Sequence, residues 1–180
     1  MSQLFYIIGA SGVGKDSLMN YARQQINGTS RVIFAHRYIT RAAKEGNENH
    51  IYISPEEFRS RQADGLFALA WESHGQHYGV GLEIENWLEK GYQVIVNGSR
   101  LYLSEAKRKY PQLQVIVVEA SPATILKRLK ERGRESGADI QKRMQRNLDI
   151  LPVLEQQLIY LQNDGPLKEA GNHLVNILCF

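Results

Sequence analysis

Seven residues near the start of the chain, Gly9-Ala10-Ser11-Gly12-Val13-Gly14-Lys15, constrain its fold more than any other segment. They follow an apolar run, Leu4-Phe5-Tyr6-Ile7-Ile8, and lead into a helix-period stretch from Lys15 to about Gln25. A buried strand, a glycine-rich turn and a helix together form the setting of a phosphate-binding P-loop. Glycines let the backbone fold so that successive N–H groups point at phosphate oxygens. The helix N-terminus adds its partial positive charge. Lys15 then reaches the β- and γ-phosphates of ATP as a mobile point charge. The expected nucleotide cradle is Gly9, Ala10, Ser11, Gly12, Val13, Gly14, Lys15, Asp16 and Ser17.

One position departs from the motif. After the lysine a serine or threonine hydroxyl ordinarily holds Mg2+, whereas this chain has Asp16, with Ser17 next. A carboxylate is a competent hard-oxygen ligand. Asp16 can take the ion directly or through water, Ser17 can take over, or Asp16 can cap the helix. The sequence leaves the choice open, with Asp16 and Ser17 the candidate metal ligands.

Downstream, apolar runs alternate with helix-period segments, which predicts an α/β fold of three layers, α/β/α, around a parallel central sheet. Strands are expected at Leu4–Ile8, Arg31–Ala35, Val94–Val96, Val115–Val118 and, at an edge, Leu158–Leu161. Helices are expected from Ser54-Pro55, from Glu83 to Lys90 with Gly91 as the stop, from Ser121-Pro122, and after Gly165-Pro166. Leu66–Trp71 and His77–Val80 read as a small antiparallel pair, and Arg37–Asn49 as a polar segment without regular period. Gly133–Gly137 interrupts a helix, and Ile140, Met144, Leu148 and Leu151 resume helical spacing. At 180 residues this is one domain, 1–180, with lobes at 37–80 (acceptor-binding) and 133–138 (lid).

Several classes are excluded. Lys and Arg number 22 against 19 Asp and Glu, a surplus too slight to imply nucleic acid. A single cysteine, Cys179, permits neither an internal disulfide nor a cysteine zinc site. His36, His50, His74 and His77 lack a metal-binding spacing. No apolar run approaches the roughly 20 residues of a membrane span, and Leu4–Ile8 lacks the basic leader of a signal peptide. A soluble, cytoplasmic protein, monomer or homodimer, is expected.

The chain resembles the guanylate kinase branch of the nucleoside monophosphate kinases, P-loop NTPases by fold. The P-loop carries the resemblance together with Thr40-Arg41 followed by Lys44 and Gly46, with Tyr78-Gly79, and with Arg128, Arg132 and Arg143. The departures concern the acceptor. Where the family reads a guanine edge with glutamate this chain has Leu69, a serine position holds Val80, and an aspartate pair appears as Asn97 and Ser99. A site that gives up its base-directed hydrogen bonds loses discrimination for the base. Phosphate-holding cations remain, and Arg37 and Arg100 are added.

A narrower resemblance follows from Gly14-Lys15-Asp16-Ser17-Leu18, His36-Arg37-Tyr38-Ile39-Thr40-Arg41, Glu48-Asn49-His50-Ile51, Tyr78-Gly79-Val80-Gly81, Val96-Asn97-Gly98-Ser99-Arg100 and Arg132-Gly133-Arg134-Glu135. These strings resemble the ribose 1,5-bisphosphate phosphokinases, Asp16 included. The resemblance implies transfer of the γ-phosphoryl of ATP to the 1-phosphate of ribose 1,5-bisphosphate, in phosphonate degradation. A sugar bisphosphate is then the small-molecule partner. The rivals are a nucleoside monophosphate kinase and a non-catalytic guanylate-kinase-like interaction module.

Each residue receives an expected role on that basis. Lys15 and Mg2+ serve ATP. Arg37, Arg41 and Lys44 hold acceptor phosphates, with Tyr78 as a hydrogen-bond donor and Arg100 as a further cation. Arg128 and Arg132, one turn apart, close with Arg134 over the γ-phosphate, and Arg143 joins them. Asn97 and Ser99, at the carboxyl end of a central strand, bind ribose hydroxyls or magnesium-bound water. Glu72 lies within a few residues of the acceptor position, and Trp71 and Trp87 read as packing residues.

Overall fold

In the computed structural model the apolar run at the start becomes β1, Gln3–Gly9, the middle strand of a five-stranded sheet. The structure describes residues 2–26, 28, 30–41, 49–73, 75–131, 137, 141, 144, 145 and 158–179. The other sheet strands are β2 (Val32–Phe34), β7 (Gln93–Asn97), β8 (Gln114–Glu119) and β9 (Leu158–Gln162), in the order β2-β7-β1-β8-β9. Every neighbouring pair is parallel, with Ile7 opposite Asn97 on one side of β1 and Ile116 on the other. Strands covered on both faces read as continuous apolar runs, as Val115–Val118 does.

Alternation along β1 divides the core. Phe5 and Ile7 pack with Leu18, Met19 and Ala22 of α1 (Lys15–Gln25) and with Leu174 and Leu178 of α6 (Leu167–Cys179). Leu4, Tyr6 and Ile8 face the opposite way, toward Ile84 of α3 (Glu83–Glu89) and Leu103 and Ala106 of α4 (Leu103–Lys109). The three-layer expectation therefore holds. α5 (Pro122–Glu131) sets Ile125 and Leu129 against Ala10 of the phosphate loop, with Met144 packed beside them.

β1 and β7 are neighbours whose chains leave to opposite faces, β1 into α1 and β7 toward α4. That switch point opens the crevice in which open α/β sheets bind ligands.

The Arg37–Asn49 expectation needs correction. Arg37–Ile39 is a strand, β3, and His50–Tyr52 another, β4. With β5 (Phe67–Ser73) and β6 (Gln76–Gly81) they make a second sheet, ordered β4-β3-β6-β5. Three residues carry no readable period; the pairing of Tyr38 with Gly79 and Ile39 with Tyr78 makes them a strand. Ser54 caps α2 (Pro55–Ala63), its Oγ accepting from the Glu57 amide at 3.1 Å as the Ser-Pro start predicts. The second sheet is sewn to the first through a shared cluster in which Leu69, Trp71, Tyr78 and Val80 meet Tyr6, Ile8 and Val96.

The expected lid, 133–138, lies outside the described residues except for Gly137, and so do Lys44, Arg132, Arg134, Arg143, Ile140, Leu148 and Leu151. Among the described residues no helix is long and apolar enough to cross a membrane.

Candidate active site

The phosphate loop leaves β1 with no room for side chains. A Cβ on Gly9 would lie 2.5 Å from the carbonyl oxygen of Val118. Gly12 and Gly14 have φ of 88° and 98°, a left-handed conformation that glycine alone adopts without strain. Gly14 is the N-cap of α1 and has no side chain to compete for the first helical amides. Lys15 folds back over the loop, its Nζ donating to the carbonyls of Gly9 at 2.8 Å and Ala10 at 3.3 Å.

Two side chains from distant elements brace this loop. The Val13 carbonyl accepts from Asn163 Nδ2 at 2.8 Å and from Arg128 Nη1 at 3.1 Å. Asn163 follows β9 and is only 2 % exposed; its Oδ1 is buried without a hydrogen-bond partner among the described residues. Beside it opens a cavity of about 310 Å³, lined by Gly14, Ser17, Arg128, Glu131, Asn163 and Leu167. Of the expected lid arginines, Arg128 is the one the described residues include, and it reaches the phosphate loop from α5. Asp164 secures the start of α5, its Oδ1 accepting from the Ser121 amide at 2.8 Å. That bond, with help from the hydroxyls of Thr124 and Ser121, holds the carboxyl pKa below the ordinary aspartate value.

On the other side of α1, Asp16 reaches across the crevice. Its Oδ1 accepts from Asn97 Nδ2 at 2.7 Å and lies 3.4 Å from Arg37 Nη2. Asp16 thus faces the end of β7, and no side-chain cap serves α1, so the capping alternative falls away. Asn97 is 5 % exposed, and its Oδ1 has no hydrogen-bond partner among the described residues. Arg37, 8 % exposed, lies over the ring of Tyr78, 5.7 Å from its centroid. Tyr78 stacks on Trp71, which stacks in turn on Tyr102, both at 5.6 Å between centroids. Trp71 therefore packs as expected, and a buried cation sits at the end of an aromatic column, where the ring quadrupole favours it.

The turn after β7 is fixed from below. Tyr6 is fully buried, and its hydroxyl accepts from the Ser99 amide at 2.9 Å and donates to the Ser99 carbonyl at 3.3 Å. Desolvation pushes its pKa well above the usual phenol range. Burial also pulls the Arg100 guanidinium pKa down.

Not every expected residue converges here. Arg41 is exposed at the end of β3, although the neighbouring Thr40 is tied to β6: its Oγ1 accepts from the His77 amide at 3.0 Å and donates to Gln76 at 3.1 Å. Glu72 is exposed, His36 is exposed, and His77 stacks on Phe58. Leu69 and Val80 are fully buried in the shared core. No group of three or more His, Cys, Asp or Glu among the described residues is arranged to hold a metal. The hard-oxygen groups beside the phosphate loop are the Asp16 carboxylate, the Ser17 hydroxyl and the Asn97 carbonyl oxygen, which suits an ion that keeps several waters and substrate phosphates as ligands. Tyr6 and Asn163 were not anticipated. The available signal for Asn163 was its place just past the carboxyl end of a parallel strand.

The guanylate kinase family profile matches residues 1–178. The ribose 1,5-bisphosphate phosphokinase PhnN of Thiobacillus denitrificans is 49 % identical over 98 % of this chain and 92 % of its own length. The protein of the same name from Desulfomicrobium baculatum is 46 % identical, covering 99 % and 95 %. The chain belongs to the ribose 1,5-bisphosphate phosphokinase branch of the guanylate kinase family. The crystal structure of guanylate kinase from Anaplasma phagocytophilum superposes with a TM-score of 0.70 at 16 % identity, covering 98 % of this chain and 84 % of that one, so the fold is shared across the family. The family is one of nucleotide-using P-loop kinases, and Gly9–Lys15 is where this chain carries the loop. In this chain the crevice beside that loop holds the buried Arg37.

Proposed function

We propose that the chain transfers the γ-phosphoryl group of ATP to the 1-phosphate of ribose 1,5-bisphosphate, giving 5-phospho-α-D-ribose 1-diphosphate and ADP. The full-length likeness to curated phosphokinases of that name carries the reading. The positions matched to the family's base-reading residues agree with it: Leu69 and Val80 are buried core and offer no polar atom to a base edge.

An acceptor phosphate oxygen is the nucleophile and is largely ionised near neutrality, so the protein needs no strong base. That oxygen bonds to the γ-phosphorus as the bridge to the β-phosphate breaks, and ADP leaves with the electron pair. Two polyanions must be brought into line, so the protein's work is positioning and charge neutralisation. Lys15 turns from the Gly9 and Ala10 carbonyls to the β- and γ-phosphates. Arg37, held between Asp16 and Tyr78, takes an acceptor phosphate, with Arg41 and Lys44 as further cations for it. Tyr78, Asn97, Ser99 and Arg100 orient the sugar and its phosphates. Arg128, Arg132, Arg134 and Arg143 close over the transferring group, the segment 37–80 serving as acceptor lobe and 133–138 as lid. Mg2+ would supply charge neutralisation on the transferring phosphates, and Asp16, beside Asn97, or Ser17, beside Arg128 and Asn163, would hold it. ATP, Mg2+ and a cytoplasmic setting belong to the same proposal.

Product analysis with ATP against ribose 1,5-bisphosphate, GMP, AMP and dTMP tests it. The sugar bisphosphate is the expected acceptor, and a large preference for any nucleotide overturns the assignment.

A further inference from the structure

Tyr6 lies in the core layer beneath the crevice, where a phenylalanine would fill the same space without a hydroxyl to satisfy. A buried hydroxyl is costly unless it is bonded, and this one is spent entirely on the backbone of Ser99: it accepts from the amide at 2.9 Å and donates to the carbonyl at 3.3 Å. Its ring also closes the floor under Gly98, where a Cβ would sit 2.2 Å from the ring carbon that bears the hydroxyl. The backbone at 97–99 is thus clamped from one side by a phenol and allowed by a glycine to descend onto it. Asn97 opens that turn, and its amide holds the Asp16 carboxylate at 2.7 Å while its Oδ1 is buried and meets no hydrogen-bond partner among the described residues.

From these contacts we infer that Tyr6 is a positioning residue for the crevice: its hydroxyl fixes the Asn97-Gly98-Ser99 turn, and through Asn97 it sets the direction of the Asp16 carboxylate and of the Asn97 side-chain oxygen. It touches neither substrate and acts through the turn. The inference rests on the proposed phosphotransfer only for the kinetic half of its test.

Tyr6→Phe keeps the ring and removes the clamp. Three measurements then follow: the Asn97 side-chain amide signals in a 15N-labelled sample, the Mg2+ dependence of ATP binding by calorimetry, and the KM for ribose 1,5-bisphosphate. Misplacing an outer support of a metal site weakens it by about tenfold or more. The expected result is Asn97 signals displaced toward those of exposed asparagines, with Mg2+ half-saturation and acceptor KM each raised about tenfold. ATP affinity measured without metal should stay as in the wild type. Gly98→Ala disturbs the same turn from above and should give the same pattern; the double variant should fall short of the product of the single effects, since both act on one element. Unmoved Asn97 signals with unchanged Mg2+ dependence overturn the inference. So does loss of folding in both single variants, which would make the pair core packing alone. If the wild-type chain fails to phosphorylate the sugar bisphosphate, the proposed function falls while the resonance and calorimetric arms still decide the role of Tyr6.

Discussion

Replacing Asp16 by asparagine separates what this carboxylate does for the fold from what it does for the reaction. Its bond from Asn97 is charge-assisted and worth about 1.5–3 kcal/mol, against about 1 kcal/mol for a neutral pair. An asparagine oxygen can still accept that hydrogen, so about 1 kcal/mol is lost there. The contact with Arg37 is 3.4 Å long, and the Asp16 side chain is 39 % exposed, so solvent screens it to at most about 1 kcal/mol. The sum is about 1–2 kcal/mol, which for a chain of this size lowers Tm by roughly 2–8 °C. The kinetic effect should be much larger. With a neutral amide in place of the ligand carboxylate, the Mg2+ concentration for half-maximal rate should rise at least about tenfold. Calorimetric Tm and initial rates against Mg2+, at saturating ATP and acceptor, give both numbers from one preparation. An unchanged Mg2+ curve beside a lowered Tm would refute the reasoning: Asp16 would then be a counter-ion of Arg37, and Ser17 the metal ligand.

Lys15→Ala should abolish transfer while costing about 1 kcal/mol of stability, because the ammonium's bonds to Gly9 and Ala10 are partly buried and replaceable by water; substantial residual turnover refutes its role. Arg41→Ala should raise the KM of the acceptor more than that of ATP and leave stability within about 0.5 kcal/mol of wild type, since Arg41 is exposed; equal weakening of both substrates would misplace the residue. Asp164, whose carboxyl pKa is depressed by the Ser121 amide, stabilises the fold above the ordinary aspartate value of about 3.9 and loses that contribution as pH falls through its folded value. Asp164→Ala should therefore lower Tm near neutrality, with the difference closing in acid; a difference independent of pH would show the carboxylate charge to be irrelevant.

The legible parts of the fold were those with long-range burial on both faces. Leu4–Ile8 and Val115–Val118 announced interior strands because continuous apolar runs have no other economical placement. The second sheet was half legible: β5 and β6 are runs of seven and six residues around a glycine turn, whereas β3 and β4 have three residues each and exist through their partners. In the site, the P-loop spacing located the loop and Lys15, while Asp16 stood out as a departure whose place facing Asn97 only the structure shows. Asn97 was singled out because a strand's carboxyl end is a ligand position. Arg37 was read as an acceptor cation, but its burial over Tyr78 depends on a pairing no local pattern encodes. Tyr6 and Asn163 were hidden for a related reason: each acts through a backbone group, Ser99 and Val13, more than 90 residues away in sequence.

The carboxylate after Lys15 acquires a physical reason from Arg37. A site that recognises phosphate instead of a base needs its cation deep, where the field is least screened, and a guanidinium 8 % exposed is expensive to keep there alone. A hydroxyl in place of Asp16 would offer it no charge. Asp16, 3.4 Å away, supplies a counter-charge that is present before substrate arrives, and Asn97 holds it aimed at the crevice. On the proposed function, an acceptor phosphate reaching Arg37 would take over as counter-ion and release the Asp16 carboxylate to the ATP side. Binding at the two halves of the crevice is then coupled through one side chain. ATP with Mg2+ should therefore tighten acceptor binding in the wild type, and the tightening should disappear in Asp16→Asn. Equal coupling in both proteins, measured by calorimetry with a non-transferring ATP analogue, would sever this link.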